Sequence, residues 1–479
     1  MFLLMNPGSC SIGGNEATLI PPVGLIYMAG VLKKAGFKCE IFDAGLKNSR
    51  PIEALGIIKK KKPKVLGLKV YYYNISWVKD LIEGVRGIDP GIKIGIGGHF
   101  VSHNPRKAIA QTGADFAVKG EGEGAILKVA NNLSQGNPYY REVPGITARL
   151  EKGDFYAGPT DVRLDNLDEL PFPDYQLVGG LKPYSLRTKF SPAAPIFTTR
   201  GCAFRCSFCS RHVFGNKVTY RSPENVVSEI VSLKERFGVR QIDILDDNFT
   251  LNRNFAEKIL DLITKEKLGL TFDLRCGVRT ESLDEQLLEK MKKAGFYKIA
   301  FGIESADNKV LELCHKQLDL EKLTRIASFA KEIGFSSTGF FIIGLPGETR
   351  GSVDKSVQLA KDLRLDIANF CMATPYPGTE LYDYVARHGK FLFDPESNYD
   401  FGFYGSKVFY TLPGMDEKEI ISRFNYAYRK FYTIPKILKC VSSIGSFSEF
   451  RWFLNATFSV LKGKFLKKPL THETKTSSI

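Results

Sequence analysis

Short apolar runs alternate with amphipathic stretches over residues 1–145. Phe2-Leu3-Leu4-Met5, Cys39-Glu40-Ile41-Phe42, Val65-Leu66-Gly67-Leu68, Lys93-Ile94-Gly95-Ile96-Gly97-Gly98 and Phe116-Ala117-Val118 each read as a strand. Between them, Gly24 to Ala35 and Ile75 to Val85 carry apolar residues at helical spacing, and Gly36 offers a C-cap after the first. Strands alternating with helices predict βα units around a parallel sheet. Ligands of such sheets bind beyond the carboxyl ends of the strands. The turns Gly97-Gly98-His99 and Gly120-Glu121-Gly122-Glu123 fall there, and their glycines let a large ligand approach the backbone.

The pattern then breaks and restarts. Residues 146–191 read as a linker: a small hairpin runs to Tyr156, and the proline-rich, acidic stretch Asn166 to Tyr175 reads as extended chain. Over residues 192–377 six further strands are predicted, at Pro195 to Thr198, Gln241 to Leu245, Thr271 to Cys276, Lys298 to Ile303, Ser337 to Ile343 and Ile367 to Thr374. Helices lie between them. Ser222-Pro223-Glu224 opens the first with a capping serine and a first-turn proline. A closed eight-unit barrel needs ~250 residues, so six units predict a partial barrel, open on one side to a large substrate. Residues 378–479 show no βα repeat and read as a mostly helical, basic region. The expected fold is α/β: a doubly wound, Rossmann-like domain, then a TIM-like partial (βα)₆ barrel.

The most informative chemistry is Thr198-Thr199-Arg200-Gly201-Cys202-Ala203-Phe204-Arg205-Cys206-Ser207-Phe208-Cys209. Cys202, Cys206 and Cys209 stand in CxxxCxxC spacing, with Phe208 just before the last. Three thiolates on one loop select zinc or iron–sulfur. A structural zinc site wants a fourth Cys or His, for which His212 is nearest. A four-iron cluster held by three thiolates leaves one iron open. The plain alternative is three small buried hydrophobes.

This loop resembles the signature of the radical S-adenosylmethionine (SAM) enzymes. The resemblance implies that Cys202, Cys206 and Cys209 hold a [4Fe–4S] cluster whose open iron chelates SAM, and that one electron cleaves SAM to methionine and a 5′-deoxyadenosyl radical. It also implies SAM contacts at the barrel's strand ends: Phe208, Asp246 and Asp247, Arg275, Glu304 and Ser305, Gly344 and Gly347. A carboxylate at 246 or 247 suits the SAM ammonium through a charge-assisted hydrogen bond. Helix capping is the alternative use of Asp246 and Asp247, and bracing a turn that of Glu348.

The first domain resembles the cobalamin-binding module of one radical SAM branch. The matching features are Pro21-Pro22-Val23-Gly24-Leu25, Gly97-Gly98-His99 and Gly120-Glu121-Gly122-Glu123, in that order before the cysteines. The implied cobalamin contacts are Gly97, Gly98, His99, Gly120 and Glu121. The chain departs from many such modules where Asp-x-His-x-x-Gly gives cobalt a histidine: it reads Asn6-Pro7-Gly8-Ser9-Cys10-Ser11. Tyr71-Tyr72-Tyr73 also replaces small hydroxyl residues. A domain that binds substrate instead is the alternative.

Composition adds three constraints. Hydrophobic content of 43% and charged content of 25% are ordinary for a soluble globular chain. No apolar run reaches the ~18 residues that span a bilayer, and nine cysteines without a signal peptide favour metal use in the cytoplasm over disulfides. The net charge is +15, and Arg429 to Ile479 holds ten Lys/Arg against two Asp/Glu. With the aromatic residues of Phe447 to Lys468, this tail reads either as a capping helix with a solvated basic end or as peripheral contact at the inner face of a membrane, with a hydrophobic or lipid-like substrate. Nucleic acid is the disfavoured partner.

The resemblance implies an external electron donor of flavodoxin or ferredoxin type and, with cobalamin, C-methylation. The rivals are a radical cyclase or oxidoreductase without methyl transfer, a non-enzymatic sensor, and an RNA-modifying methylthiotransferase. The last would use a second cluster in the first domain, where only Cys10 and Cys39 are available.

Overall fold

Five parallel strands form the first sheet: β1 (Phe2–Asn6), β2 (Cys39–Asp43), β3 (Val65–Lys69), β4 (Lys93–Gly97) and β5 (Phe116–Val118). The computed structural model describes residues 1–8, 20–151, 153–160, 163–184, 188–393, 407–442 and 450. The strand order is β2-β1-β3-β4-β5. Leu3, Leu4, Met5, Val65, Leu66, Ile94 and Ile96 are buried, as expected of strands covered on both faces by helices. The order reverses between β1 and β3, which makes a crevice at their carboxyl ends. Residues 9–19, which include most of the departing loop after β1, lie outside the described residues.

The sheet does not stop at residue 145. β6 (Ile146–Arg149) and β7 (Phe155–Ala157) add antiparallel to its edge. Ile146 and Ala148 are buried, so the hairpin completes a core that β5 alone leaves open. The connector proper is the irregular chain from Gly158 onward.

The second sheet holds six parallel strands in sequential order: β8 (Ala193–Ile196), then, after a small antiparallel pair β9 (Thr199–Arg200) and β10 (Thr219–Tyr220), β11 (Gln241–Ile244), β12 (Thr271–Val278), β13 (Phe296–Glu304), β14 (Ser336–Ile343) and β15 (Ile367–Met372). β8 and β15 are its edges, so the barrel stays open. Phe272, Ile299, Phe341 and Phe370 point outward into a core shared with the helices. The helices start on side-chain caps: Ser222 Oγ accepts from Asn225 N at 3.2 Å, and Asp284 from Leu287 N at 2.8 Å.

A second apolar cluster crosses between the sheets. It joins Trp77, Phe100 and Val101 of the first domain to Val310, Cys314, Leu345, Leu381 and Tyr410 of the second. The helix Glu417–Phe431 covers the β15 edge. Tyr428 Oη donates to Phe370 O at 3.1 Å, and Tyr432 Oη donates to Ala368 O at 3.1 Å. Tyr428 and Tyr432 therefore face the barrel. Of the stretch Phe447 to Lys468, only Phe450 is described. Among the described residues no helix is long and apolar enough to cross a membrane.

Candidate cofactor site at the seam of the two sheets

The cysteine loop leaves β8 and is fastened at its root. Asp246, just past β11, accepts from Thr198 N at 2.7 Å, from Thr199 Oγ1 at 2.9 Å and from the Thr198 hydroxyl. Burial pushes its carboxyl up to about 6, against these hydrogen bonds. Gly201 follows at φ +95°, and a Cβ there would lie 2.4 Å from Lys217 O, so only glycine fits. Further along, Ser207 N donates to Cys314 O at 2.9 Å, Leu381 N donates to Ser207 O at 2.9 Å, and Cys209 N closes a turn on Cys206 O at 3.1 Å.

Cys202 and Cys206 are half-buried. Cys209 is exposed at its surface; desolvation by the surrounding chain, then Cys206, Asp247 and Cys202, push its thiol up to about 12. Among the described residues no three His, Cys, Asp or Glu side chains close on a single ion. Three thiols on one short loop are the ligand set that a [4Fe–4S] cluster with one open iron takes. His212 packs its ring 4.9 Å from that of His103 in the first domain. Phe208 packs against the cluster that crosses the seam.

The strand ends place the other predicted residues. Asp246 has its carboxylate on the cysteine loop. Asp247 beside it is exposed and has no hydrogen-bond partner among the described residues, and desolvation pushes its carboxyl up. Arg275 lies deeper, paired with Asp243 Oδ2 at 3.0 Å and Asp273 Oδ2 at 3.4 Å. Lys298 Nζ reaches Asp273 at 3.3 Å, so two cations balance two carboxylates inside the barrel. Glu304 takes φ +66°, which is uncommon for a residue with a side chain, and its buried carboxylate meets Lys316 Nζ at 3.3 Å. Ser305 Oγ accepts from Asp307 N at 3.2 Å. Gly344 N donates to Glu348, whose carboxyl burial pushes up to about 8. Tyr410 Oη donates to Gly344 O at 2.7 Å. Gly347, at φ +77°, completes the turn.

On the first-domain side, the ends of β3 and β4 carry an aromatic shelf. Tyr71 stacks on Tyr73 at 5.2 Å and on His99 at 5.6 Å, with interplanar angles of 14° and 17°. Lys69 Nζ sits 4.8 Å from the Tyr71 ring centroid. Burial, then Lys69 and His212, hold His99 down to about 4, so it is a neutral ring at pH 7. The shelf lies beside the crevice of the first sheet, and its flat, half-exposed faces fit a large planar macrocycle. Gly97 has room: a Cβ would come no nearer than 3.7 Å to Val118 O. Gly98 has none: at φ +113° a Cβ would lie 2.7 Å from Val70 O. Gly120 N donates to Ser102 Oγ at 3.1 Å.

Glu121 turns away from the crevice. Its Oε1 meets Arg200 Nη1 at 2.5 Å, and its Oε2 accepts from Leu164 N at 2.8 Å. Glu123 Oε1 takes Arg200 Nη2 at 2.7 Å. The Gly-Glu-Gly-Glu turn thus clamps the arginine that precedes Gly201 and Cys202.

Gly98→Ala should cost ~1–3 kcal/mol of stability, the usual strain for a side chain in a glycine-only conformation. It should also release bound cobalamin, because the β4 turn moves. Thermal unfolding and cobalt content of the purified variant check both.

A doubly wound domain facing an open βα barrel, with three thiols at the barrel mouth, suits an iron–sulfur enzyme. The comparisons name the class. Residues 11–130 match the B12 binding domain and residues 196–360 the radical SAM superfamily. A relative from Pyrococcus horikoshii, named an uncharacterized methyltransferase, is 30% identical over 91% of this chain and 93% of its own. An anaerobic magnesium-protoporphyrin IX monomethyl ester cyclase from Rubrivivax gelatinosus is 28% identical over 90% of this chain and 77% of its own. The solved radical SAM methyltransferase TsrM from Kitasatospora setae, with cobalamin and a [4Fe–4S] cluster bound, shares the fold. Its TM-score is 0.74 at 18% identity, over 97% of this chain and 99% of that one. The chain belongs to the radical SAM enzymes that carry a B12 binding domain. Its cofactors are a [4Fe–4S] cluster, SAM and cobalamin.

Tyr410 and Arg279 carry no sequence signal: each is a polar side chain buried against a partner far away in sequence, Gly344 O and Cys206 Sγ, which local patterns do not show.

Proposed function

We propose that this enzyme methylates an unreactive carbon of a hydrophobic, lipid-like substrate held at the barrel mouth, between its two sheets. The inner wall of the barrel carries this reading. Phe340 and Ile342 of β14, and Asn369 and Cys371 of β15, lie half-exposed on that wall, while Phe341, Ile343 and Phe370 between them face the outer core. Gly277 of β12 stands beside Phe340, 3.5 Å from its ring once a Cβ is drawn. Glu304 nearby is paired with Lys316, and Asp247, without a hydrogen-bond partner among the described residues, is left for a cationic group such as the SAM ammonium. A partly apolar wall next to a carboxylate without a partner suits SAM at one end and an uncharged carbon skeleton at the other.

When bound, the cluster and cobalamin supply the electron that cleaves SAM and the methyl group that is transferred. The chain's own residues exclude water with Phe340 and Ile342, orient SAM from Asp247, and fix the mouth through the Asp246 and Glu348 turns. The outer surface agrees with a lipid-like partner. Ile434 and Leu438, one turn apart on the helix Ile434–Ser442, are 76% and 63% exposed. They stand in the same basic C-terminal stretch.

Anaerobic turnover with reductant, cobalamin and a lipid extract should yield S-adenosylhomocysteine and 5′-deoxyadenosine in comparable amounts, with a product ~14 Da heavier by mass spectrometry. 5′-Deoxyadenosine alone would remove methyl transfer. It would favour the second reading, a radical cyclase, which the likeness to the R. gelatinosus cyclase supports. Failure to sediment with anionic vesicles at low salt would count against the membrane contact.

A further inference from the structure

The cysteine loop has a cationic neighbour from another strand. Arg279 comes directly after β12 and is only 6% exposed. Its Nη1 donates to Cys206 Sγ at 3.7 Å. Its guanidinium carbon lies 3.8 Å from the centroid of the Phe204 ring. Nε donates to Glu281 Oε2 at 3.2 Å, and Nη2 donates to the carbonyl of Gln317. A free arginine samples many rotamers; these contacts hold this one in a single plane with an N–H aimed at a cluster ligand. The segment Cys314 to Gln317 also accepts from Ser207 N and supplies Lys316 to Glu304, so it ties Arg279 to both the cysteine loop and the SAM-facing strand end.

A brace alone does not call for a buried charge, whose desolvation is costly. Glu281 offsets it only in part, because its side chain is 30% exposed and its charge is screened by water. We propose that Arg279 raises the reduction potential of the cluster. A guanidinium N–H donated to the Cys206 sulfur draws electron density from that ligand. The positive charge beside it also favours the state that holds one more electron, and hydrogen bonds and net charge are among the factors that set such potentials. The step concerned is the arrival of one electron from an external low-potential donor; no bond forms or breaks in it. Arg279 is a positioning and tuning residue, and it acts through Cys206.

The test is a redox titration of the full chain, reconstituted anaerobically with iron and sulfide, without SAM or substrate, read by electron paramagnetic resonance. At the wild-type midpoint, Arg279→Gln should lower the reduced-to-oxidised ratio ~tenfold, a shift of ~59 mV for a one-electron couple. Arg279→Lys, which keeps the charge and loses the fork, should fall between. Glu281→Gln, which removes the opposing carboxylate, should move the midpoint upward, a sign that a packing role does not predict. A fully iron-loaded Arg279→Gln with the wild-type midpoint overturns the proposal. If Arg279→Gln does not hold iron, Glu281→Gln decides: a raised midpoint supports the proposal, and an unchanged or lowered one overturns it. The proposal rests on the cluster, and wild-type iron content separates the two readings. No iron in the wild type overturns both, whereas full iron with unmoved midpoints overturns this one alone.

Discussion

Replacing Cys202, Cys206 and Cys209 together by alanine should bring iron, sulfide and SAM cleavage to background while leaving cobalt content at the wild-type level. We propose these thiols as the cluster ligands; they are not what holds the loop. Its root is fixed by Asp246 on Thr198 and Thr199, and its tip by the backbone bonds of Ser207 to Cys314 and Leu381. None of these contacts involves a cysteine side chain, and Cys209 is exposed. Three Cys→Ala changes therefore remove little packing. The shelf of Tyr71, Tyr73 and His99 stands on a separate sheet and keeps its shape. Iron and cobalt analysis of anaerobically purified wild type and variant decides the matter. Cobalt lost together with iron would mean that the two cofactor sites fold as one unit. Iron retained in the variant would remove the three thiols from the cluster.

The strands of the first sheet are legible because each is a nearly unbroken apolar run, and the cysteine site because its three ligands are contiguous. The hairpin β6 and β7 is legible as a hairpin, but not its place on the edge of the first sheet, where β6 pairs with β5 and Ala148 stands opposite Phe116. The neighbours Asp246 and Asp247 look equivalent in sequence. On extended chain they point to opposite sides, and which one faces the cysteine loop depends on where β11 ends. Long-range partners are the least legible. Arg279 meets Cys206 across 73 residues, Tyr410 meets Gly344 across 66, and Arg200 meets Glu121 across 79. In each case the sequence shows a polar residue without showing that the fold buries it.

The last of these pairs carries the second large effect. Arg200→Met should destabilise the protein by ~3–5 kcal/mol, because it leaves two carboxylates buried without a counter-charge. Arg200, Glu121 and Glu123 side chains are only 5–6% exposed, so water does not screen the loss. The contacts are 2.5 and 2.7 Å and join the turn after β5 to the residue that precedes Gly201. The ring of Tyr27 lies 5.5 Å from the guanidinium, which adds a cation–π contact from the first domain. The triple variant Arg200→Met/Glu121→Gln/Glu123→Gln should recover most of the loss, since no unpaired charge remains. Denaturant unfolding of the three proteins measures this. If Arg200→Met and the triple variant are equally destabilised, packing rather than charge accounts for the clamp. The clamp also fixes the cobalamin-side turn against the cysteine loop. The triple variant, though folded, should therefore give less S-adenosylhomocysteine per 5′-deoxyadenosine than wild type, because SAM cleavage and methyl transfer then proceed in parts held less firmly together.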